Sequence, residues 1–210
     1  MVIIHMKPKF WNKGKLYLSK KDEVLKSIIK NYDKEYLSTN NNYFHSLINS
    51  IIGQQISVKA ASSIKNKFFL LNNNITPIFI KNTKVNKLKK IGLSKQKISY
   101  IKNISIFFIE NKKFIKNISN FDEKIIRDEL INIKGVGPWT IDMFLMFSLG
   151  KPNIFPIGDL GLLKSISLSY KKKIPLSENF LNNLYEKWSP YSTIATWYMW
   201  RSLDPIPVNY

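Results

Sequence analysis

One acid in apolar surroundings is the first residue whose type and place could do chemistry. Asp159 stands in "NIFPIGDLGLLK", Asn153 to Lys164, where every residue between the two ends is otherwise apolar, glycine or proline. Acids are scarce in this chain, 14 Asp plus Glu against 33 Lys plus Arg, and between Glu129 and Glu178 the only ones are Asp142 and Asp159. A carboxylate fixed in such a setting can stabilise positive charge that develops on a substrate, or orient and deprotonate a water. A plainer role competes. Asp directly before a helix caps it, and the helix predicted from about Leu160 has a dipole that favours the ionised form. The two roles are compatible.

A second feature precedes it by about twenty residues: "LINIKGVGPWTIDMF", Leu130 to Phe144. "KGVGP" is too short for anything but a tight hairpin between two helices. Gly135 and Gly137 permit positive φ and close backbone approach. Pro138 lacks an N–H and suits the first turn of the second helix. Amides at such a helix start attract a phosphate, so the element reads as a helix–hairpin–helix grip on a DNA backbone. An ordinary αα-hairpin, packing helix on helix, is the alternative, because G-x-G alone is a weak signal.

The rest of the chain must position these two features, and it reads as helical throughout. Ser19 is predicted to cap a helix through Tyr32, with Val24, Leu25, Ile28, Ile29 and Tyr32 on one face. Phe44 to Gly53 repeats the pattern, and Ser57 caps a helix through Leu71. Thr76-Pro77 is a cap followed by proline at the first helical position. Ser94 starts another helix and Phe121-Asp122 the next. Trp139 to Leu149, Leu160 to Tyr170, Ser177 to Trp188 and Tyr191 to Leu203 complete about ten short helices, with no convincing strand pair. The class is all-α.

Composition bounds the function. A chain of 210 residues suits one large domain or two small lobes. There is no cysteine, which excludes disulfides, thiolate zinc sites and iron–sulfur clusters. With only His5 and His45, a histidine metal site is not expected, and no cofactor is called for. No run reaches the ~20 apolar residues of a membrane span, and "MVIIHMKPKF" is too short in its apolar part for a signal peptide. A cytoplasmic, nucleoid-associated protein is expected. The net charge of +19 suits a polyanionic partner. It is nearly all lysine, with Arg127 and Arg201 the only arginines. A coding bias toward Lys, Asn and Ile would explain the charge equally well, so charge alone does not choose.

"LINIKGVGPWTIDMFLMFSLGKPNIFPIGDLGLLKSI" resembles the helix–hairpin–helix–Gly/Pro–Asp signature of DNA glycosylases. "FHSLINSIIGQQISVKAASSI" at 44–64, "IGLSKQKISYIKNIS" at 91–105 and "WSPYSTIATWYMWRSLD" at 188–204 are similar to one branch, the 3-methyladenine DNA glycosylase II family. The opening "FWNKGKLYLSKKDEVLKSII" at 10–29 is similar as well, so the resemblance runs through nearly the whole chain in order. It implies two helical lobes with the active site in a cleft between them. It implies one glycosylase domain over 1–210, with the helix–hairpin–helix at about 122–149. About forty residues precede Phe44, so the likeness is to compact members without an extra amino-terminal domain.

The resemblance also assigns roles. Asp159 becomes the catalytic aspartate. Trp139, Trp200 and, as a weaker candidate, Tyr198 fall where the family's base pocket has aromatic residues; plain core packing is the alternative for each. Gly135, Val136, Gly137 and Thr140 belong to the DNA-gripping hairpin. The loop "GQQIS" supplies Gln54, Gln55 and Ser57, with Gln55 at the position that fills the gap left by a flipped base; a polar helix terminus is the alternative reading. Lys95 and Lys97 in "GLSKQK" lie near the DNA or on a solvated face, and Arg201 is free to pair with Asp204. Glycosylase/lyases of the superfamily carry a Schiff-base lysine just after the hairpin, where this sequence has Trp139. A monofunctional enzyme is therefore implied, acting as a monomer on double-stranded DNA with alkylated bases and needing no protein partner. The alternatives are a non-catalytic helix–hairpin–helix DNA-binding protein and, less well supported, a lyase for oxidised bases.

Overall fold

A computed structural model describes residues Met6 to Asp204. His5 and most of the amino-terminal apolar patch lie outside them. Among the described residues there are thirteen α-helices. In chain order they are α1 (Trp11–Lys21), α2 (Glu23–Asn31), α3 (Tyr43–Gly53), α4 (Val58–Phe69), α5 (Pro77–Asn82), α6 (Val85–Lys90), α7 (Lys95–Glu110), α8 (Lys112–Asn117), α9 (Glu123–Leu130), α10 (Pro138–Phe147), α11 (Leu160–Ser169), α12 (Glu178–Trp188) and α13 (Ser192–Leu203). A short 3₁₀ turn at Ile118–Asn120 joins α8 to α9. The class is all-α, and no helix is long and apolar enough to cross a membrane among the described residues.

Local chemistry sets most helix starts. Asn42, Ser57, Thr76, Ser94, Asp159 and Ser177 each accept a backbone N–H from the first turn of the helix they precede, which satisfies a donor the helix itself cannot. The predicted helix from Ser19 to Tyr32 is corrected. The chain breaks at Asp22, which is extended and caps α2 through the amides of Val24 and Leu25. Ser19 lies inside α1. The count exceeds ten because α1, α6 and α8 leave little periodic trace. α6 and α8 have six residues each, under two turns. α1 buries only Trp11, Gly14 and Leu18 among lysines.

Among the described residues the chain forms two compact units, one of residues 6–41 and 145–204, the other of residues 42–144. In the first unit α13 is the core element, with every residue from Ser192 to Arg201 buried. Trp11 meets Trp197 edge to face at 5.4 Å between ring centres. The buried Asp22 carboxylate ties together α2, the end of α11 and α12. Beyond its α2 cap, its Oδ2 accepts from Tyr170 Oη at 2.6 Å and Trp188 Nε1 at 3.1 Å, and pairs with Lys187 Nζ at 2.9 Å. Burial alone would raise its pKa, but these hydrogen bonds and the amide of Leu25 outweigh it and hold the carboxyl below its ordinary value. Arg201 takes Glu35 in a two-pronged pair, at 2.8 and 2.9 Å, and also donates to the backbone oxygen of Asp204.

In the second unit, Leu47, Ile48, Ile51 and Ile52 of α3 share the core with Ile98, Ile101, Ile104 and Phe108 of α7. His45 is part of this packing, with Nε2 against the Ile75 carbonyl and Nδ1 against the Asn42 amide, each at 2.9 Å. Helices α9 and α10 are clamped by Arg127, which reaches Asp142 at 2.7 Å and Glu123 at 2.8 Å. Burial pushes the Asp142 carboxyl up, and Arg127 offsets only part of that.

Candidate active site and hairpin

Asp159 is presented by a loop that α13 holds down. Ile154 donates its amide to Thr193 Oγ1 at 2.9 Å, and that hydroxyl donates to the Lys151 carbonyl at 2.6 Å. Asn153 Oδ1 accepts from Ser189 Oγ and from the Ser192 amide. The loop then turns at Pro156, whose carbonyl accepts the Asp159 amide at 2.9 Å. The half-buried Asp159 side chain is held by its Oδ1, which accepts the Leu162 amide at 2.6 Å and Trp200 Nε1 at 2.9 Å. One donor belongs to the first turn of α11; the other crosses 41 residues. Two donors on one oxygen fix both the position and the orientation of the carboxylate.

The Trp200 ring is itself fixed, stacked on Phe147 at 6.2 Å and 12°. Gly161 lets it approach: a Cβ there would lie 3.1 Å from Asp159 Oδ1 and 3.7 Å from the indole. Leu160, directly after the acid, is 81% exposed and does not belong to the core. Sequence reasoning misses the Trp200–Asp159 hydrogen bond and the role of Gly161. Only "GDLG" hints that the residue after the cap pair must be small. Tyr198 is corrected: it is fully buried between Trp11 and Trp197, with its hydroxyl on the Glu35 carbonyl, and is a core residue.

The hairpin belongs to the second unit. Gly135 has φ +104°, and a Cβ there would meet the Tyr100 ring at 2.0 Å. Only glycine satisfies both the backbone angle and the close ring. Asn103 donates to the Lys134 carbonyl at 3.1 Å. Gln54 Nε2 donates to the Gly135 carbonyl at 3.2 Å and to Thr140 Oγ1 at 3.0 Å. So α3 and α7 hold the turn while the start of α10 projects from it. Gly137 accepts the first α10 bond from Ile141, Pro138 follows at the first helical position, and a Cβ on Gly137 would meet nothing within 4 Å. Trp139 is half-buried.

The side chains of Val136, Thr140 and Lys97, three of the residues expected at the DNA, make contacts within the unit. Val136 is buried, and its amide closes the turn on Ile133. Thr140 is buried on Gln54. Lys97 Nζ donates to the carbonyls of Ile52 at 2.7 Å and Gln54 at 2.8 Å, compensating the carbonyl end of α3. Burial lowers its pKa. By contrast Gln55 is exposed at φ +57°, a left-handed conformation uncommon for a non-glycine residue. Ser57 caps α4, and Lys95 is exposed at the start of α7.

An all-helical chain with a glycine hairpin feeding a helix, then an aspartate pinned at the next helix start, defines the class of helix–hairpin–helix base-excision proteins. The family model "HhH-GPD superfamily base excision DNA repair protein" matches residues 48–190. The chain belongs to this superfamily and, within it, to the DNA-3-methyladenine glycosylase family. DNA-3-methyladenine glycosylase 1 of Schizosaccharomyces pombe is 31% identical over 201 residues, covering 90% of this chain and 86% of that one. The DNA-3-methyladenine glycosylase of Saccharomyces cerevisiae is 32% identical over 182 residues, 79% of this chain but 62% of that longer protein. The S. pombe 3-methyladenine DNA glycosylase solved in complex with abasic DNA matches with a TM-score of 0.81 at 26% identity, covering 90% of this chain and 96% of that one.

Proposed function

We propose that this chain is a monofunctional DNA glycosylase. It hydrolyses the N-glycosidic bond of alkylated bases, of the 3-methyladenine kind, in double-stranded DNA, and so begins base excision. The observation that carries this reading is the Asp159 carboxylate, held on one oxygen by a helix amide and an indole N–H. Loss of the base builds positive charge on the sugar, as in glycoside hydrolysis. A preorganised carboxylate stabilises that charge, and the same group can orient the attacking water. An alkylated purine already carries positive charge, so its leaving needs no acid.

Trp139 and Trp200 each offer an electron-rich ring to a cationic extruded base. Trp139 stands where the superfamily's glycosylase/lyases carry a Schiff-base lysine, so water is the nucleophile and the strand stays intact. Gln55, turned outward by its left-handed backbone, fills the gap in the duplex. The hairpin amides and Lys95 take phosphates. The enzyme acts as a monomer, where the chromosomal DNA is, inside the cell.

The test is release of free methylated bases from alkylated duplex DNA, followed by strand analysis with and without alkali. Base release with alkali-dependent breaks is the expected result. Breaks without alkali would indicate a lyase, and tight binding without release would indicate a non-catalytic DNA-binding protein.

A further inference from the structure

A groove of about 490 Å³ lies along α5 and α6, well apart in sequence from the hairpin and from Asp159. Its floor is the half-buried ring of Phe79, and Asn82, Lys84, Lys87 and Lys90 line it. The buried Ile80 and Leu88 anchor the two short helices beneath it. Lys87 Nζ sits 5.8 Å from the centre of the Phe79 ring. Lys102 of α7 donates to the carbonyls of Lys81 and Thr83, at 2.9 and 3.0 Å, and so closes the end of α5.

The charge here is unopposed. Between Glu35 and Glu110 the chain has eleven lysines and no acid. Among the described residues, no ion pair involves Lys84, Lys87 or Lys90. A coding bias toward lysine explains many lysines. It does not explain three exposed ammonium groups around one concave, acid-free groove. Such a groove is complementary to a chain of phosphates.

A single aromatic ring, already covered by Lys87, is a poor platform for stacking successive bases, which single-strand binders need. Phosphodiester groups of a duplex fit the groove better. Tyr100 and Asn103 of α7 hold the hairpin, whereas Lys102, turned by about 100° per residue on the same helix, holds the end of α5. One rigid helix thus fixes both the hairpin and the groove on different faces.

We infer that the α5–α6 groove is a second contact for the DNA phosphate backbone, separate from the hairpin, adding sequence-independent grip on the duplex flanking the lesion.

The test uses the full chain and undamaged duplex DNA, so it does not depend on whether the enzyme releases bases. In a Lys84→Gln/Lys87→Gln/Lys90→Gln variant, three phosphate contacts are lost. The slope of log K against log salt should become shallower by about 2 to 3. A Lys112→Gln/Lys113→Gln/Lys116→Gln variant removes the same charge from exposed positions of α8 in the same unit and should change the slope by less than 1. Equal slope changes in the two triple variants, or no change in the groove variant, would overturn the assignment. So would a groove variant that loses single-stranded binding while keeping duplex binding.

Discussion

Asp159→Asn separates the charge of the carboxylate from its geometry. The substitution is isosteric, and the asparagine oxygen can take both hydrogen bonds that Oδ1 now accepts, from the Leu162 amide at 2.6 Å and Trp200 Nε1 at 2.9 Å. Asparagine is as good a helix cap as aspartate, so α11 and the fold should be retained, with a change in melting temperature of no more than a few degrees. What disappears is the attraction between a carboxylate and the charge growing on the sugar. At ~4 Å and an effective dielectric of ~20, that attraction is about 4 kcal/mol, or roughly a thousandfold in rate. The assay is single-turnover release of methylated base from alkylated duplex DNA, with affinity for undamaged duplex measured alongside. The expected result is a loss of about a thousandfold in the chemical step with binding unchanged. Asp159→Ala is the contrast. It also leaves the Leu162 amide and the Trp200 indole without this acceptor, and losing the cap costs about 1 kcal/mol, or about 2 to 4 °C in melting temperature for a chain of this size. Turnover by the asparagine variant within tenfold of the unsubstituted protein would refute the electrostatic role.

Trp200→Phe keeps a ring against Phe147 but removes the indole donor. A hydrogen bond to a charged acceptor is worth about 1.5–3 kcal/mol, so base release should slow by roughly 10- to 100-fold with little change in DNA affinity; an effect on affinity alone would argue against a positioning role. Gly135→Ala sets a methyl group 2.0 Å from Tyr100 at φ +104°. Duplex binding should fall at least about tenfold, and adding Tyr100→Ala should restore only part of it because the backbone angle stays unfavourable. Full restoration would assign the whole effect to the ring. Asp22 has a lowered folded pKa, so its contribution to stability is present above the ordinary carboxylate value near ~4 and is lost as pH falls through the folded value. Chemical denaturation should show Asp22→Asn less stable at neutral pH by about 3 kcal/mol, with a difference that shrinks below about pH 4. A difference that stays constant across pH would mean the carboxylate charge is not the stabilising feature.

Where the physics is local, the sequence is legible. Ser57, Ser94 and Ser177 cap within three residues of themselves, and Thr76 does so ahead of a first-position proline. Glycine and proline in "KGVGP" mark a turn by their own backbone preferences, and Asp159 reads as both an isolated acid and a cap. Asp22 shows the limit of local reading. The sequence placed the cap at Ser19, whereas the chain breaks at Asp22, whose carboxylate is also held by Tyr170, Lys187 and Trp188, more than 140 residues away. The same holds for the candidate site. Periodicity cannot tell that Trp200 turns its N–H onto Asp159 while Tyr198, two residues earlier, is sealed in the core. Nor does spacing show that Lys97 spends its charge on α3 carbonyls, or that Gln54 braces a hairpin 81 residues on. By itself the sequence determined an all-helical chain, its hairpin and its one well-placed acid, because caps, turns and amphipathic faces act over a few residues. Which polar groups are held rigid, and which stay available for DNA, was decided by tertiary structure, because hydrogen bonds between distant segments exist only once the core has brought them together.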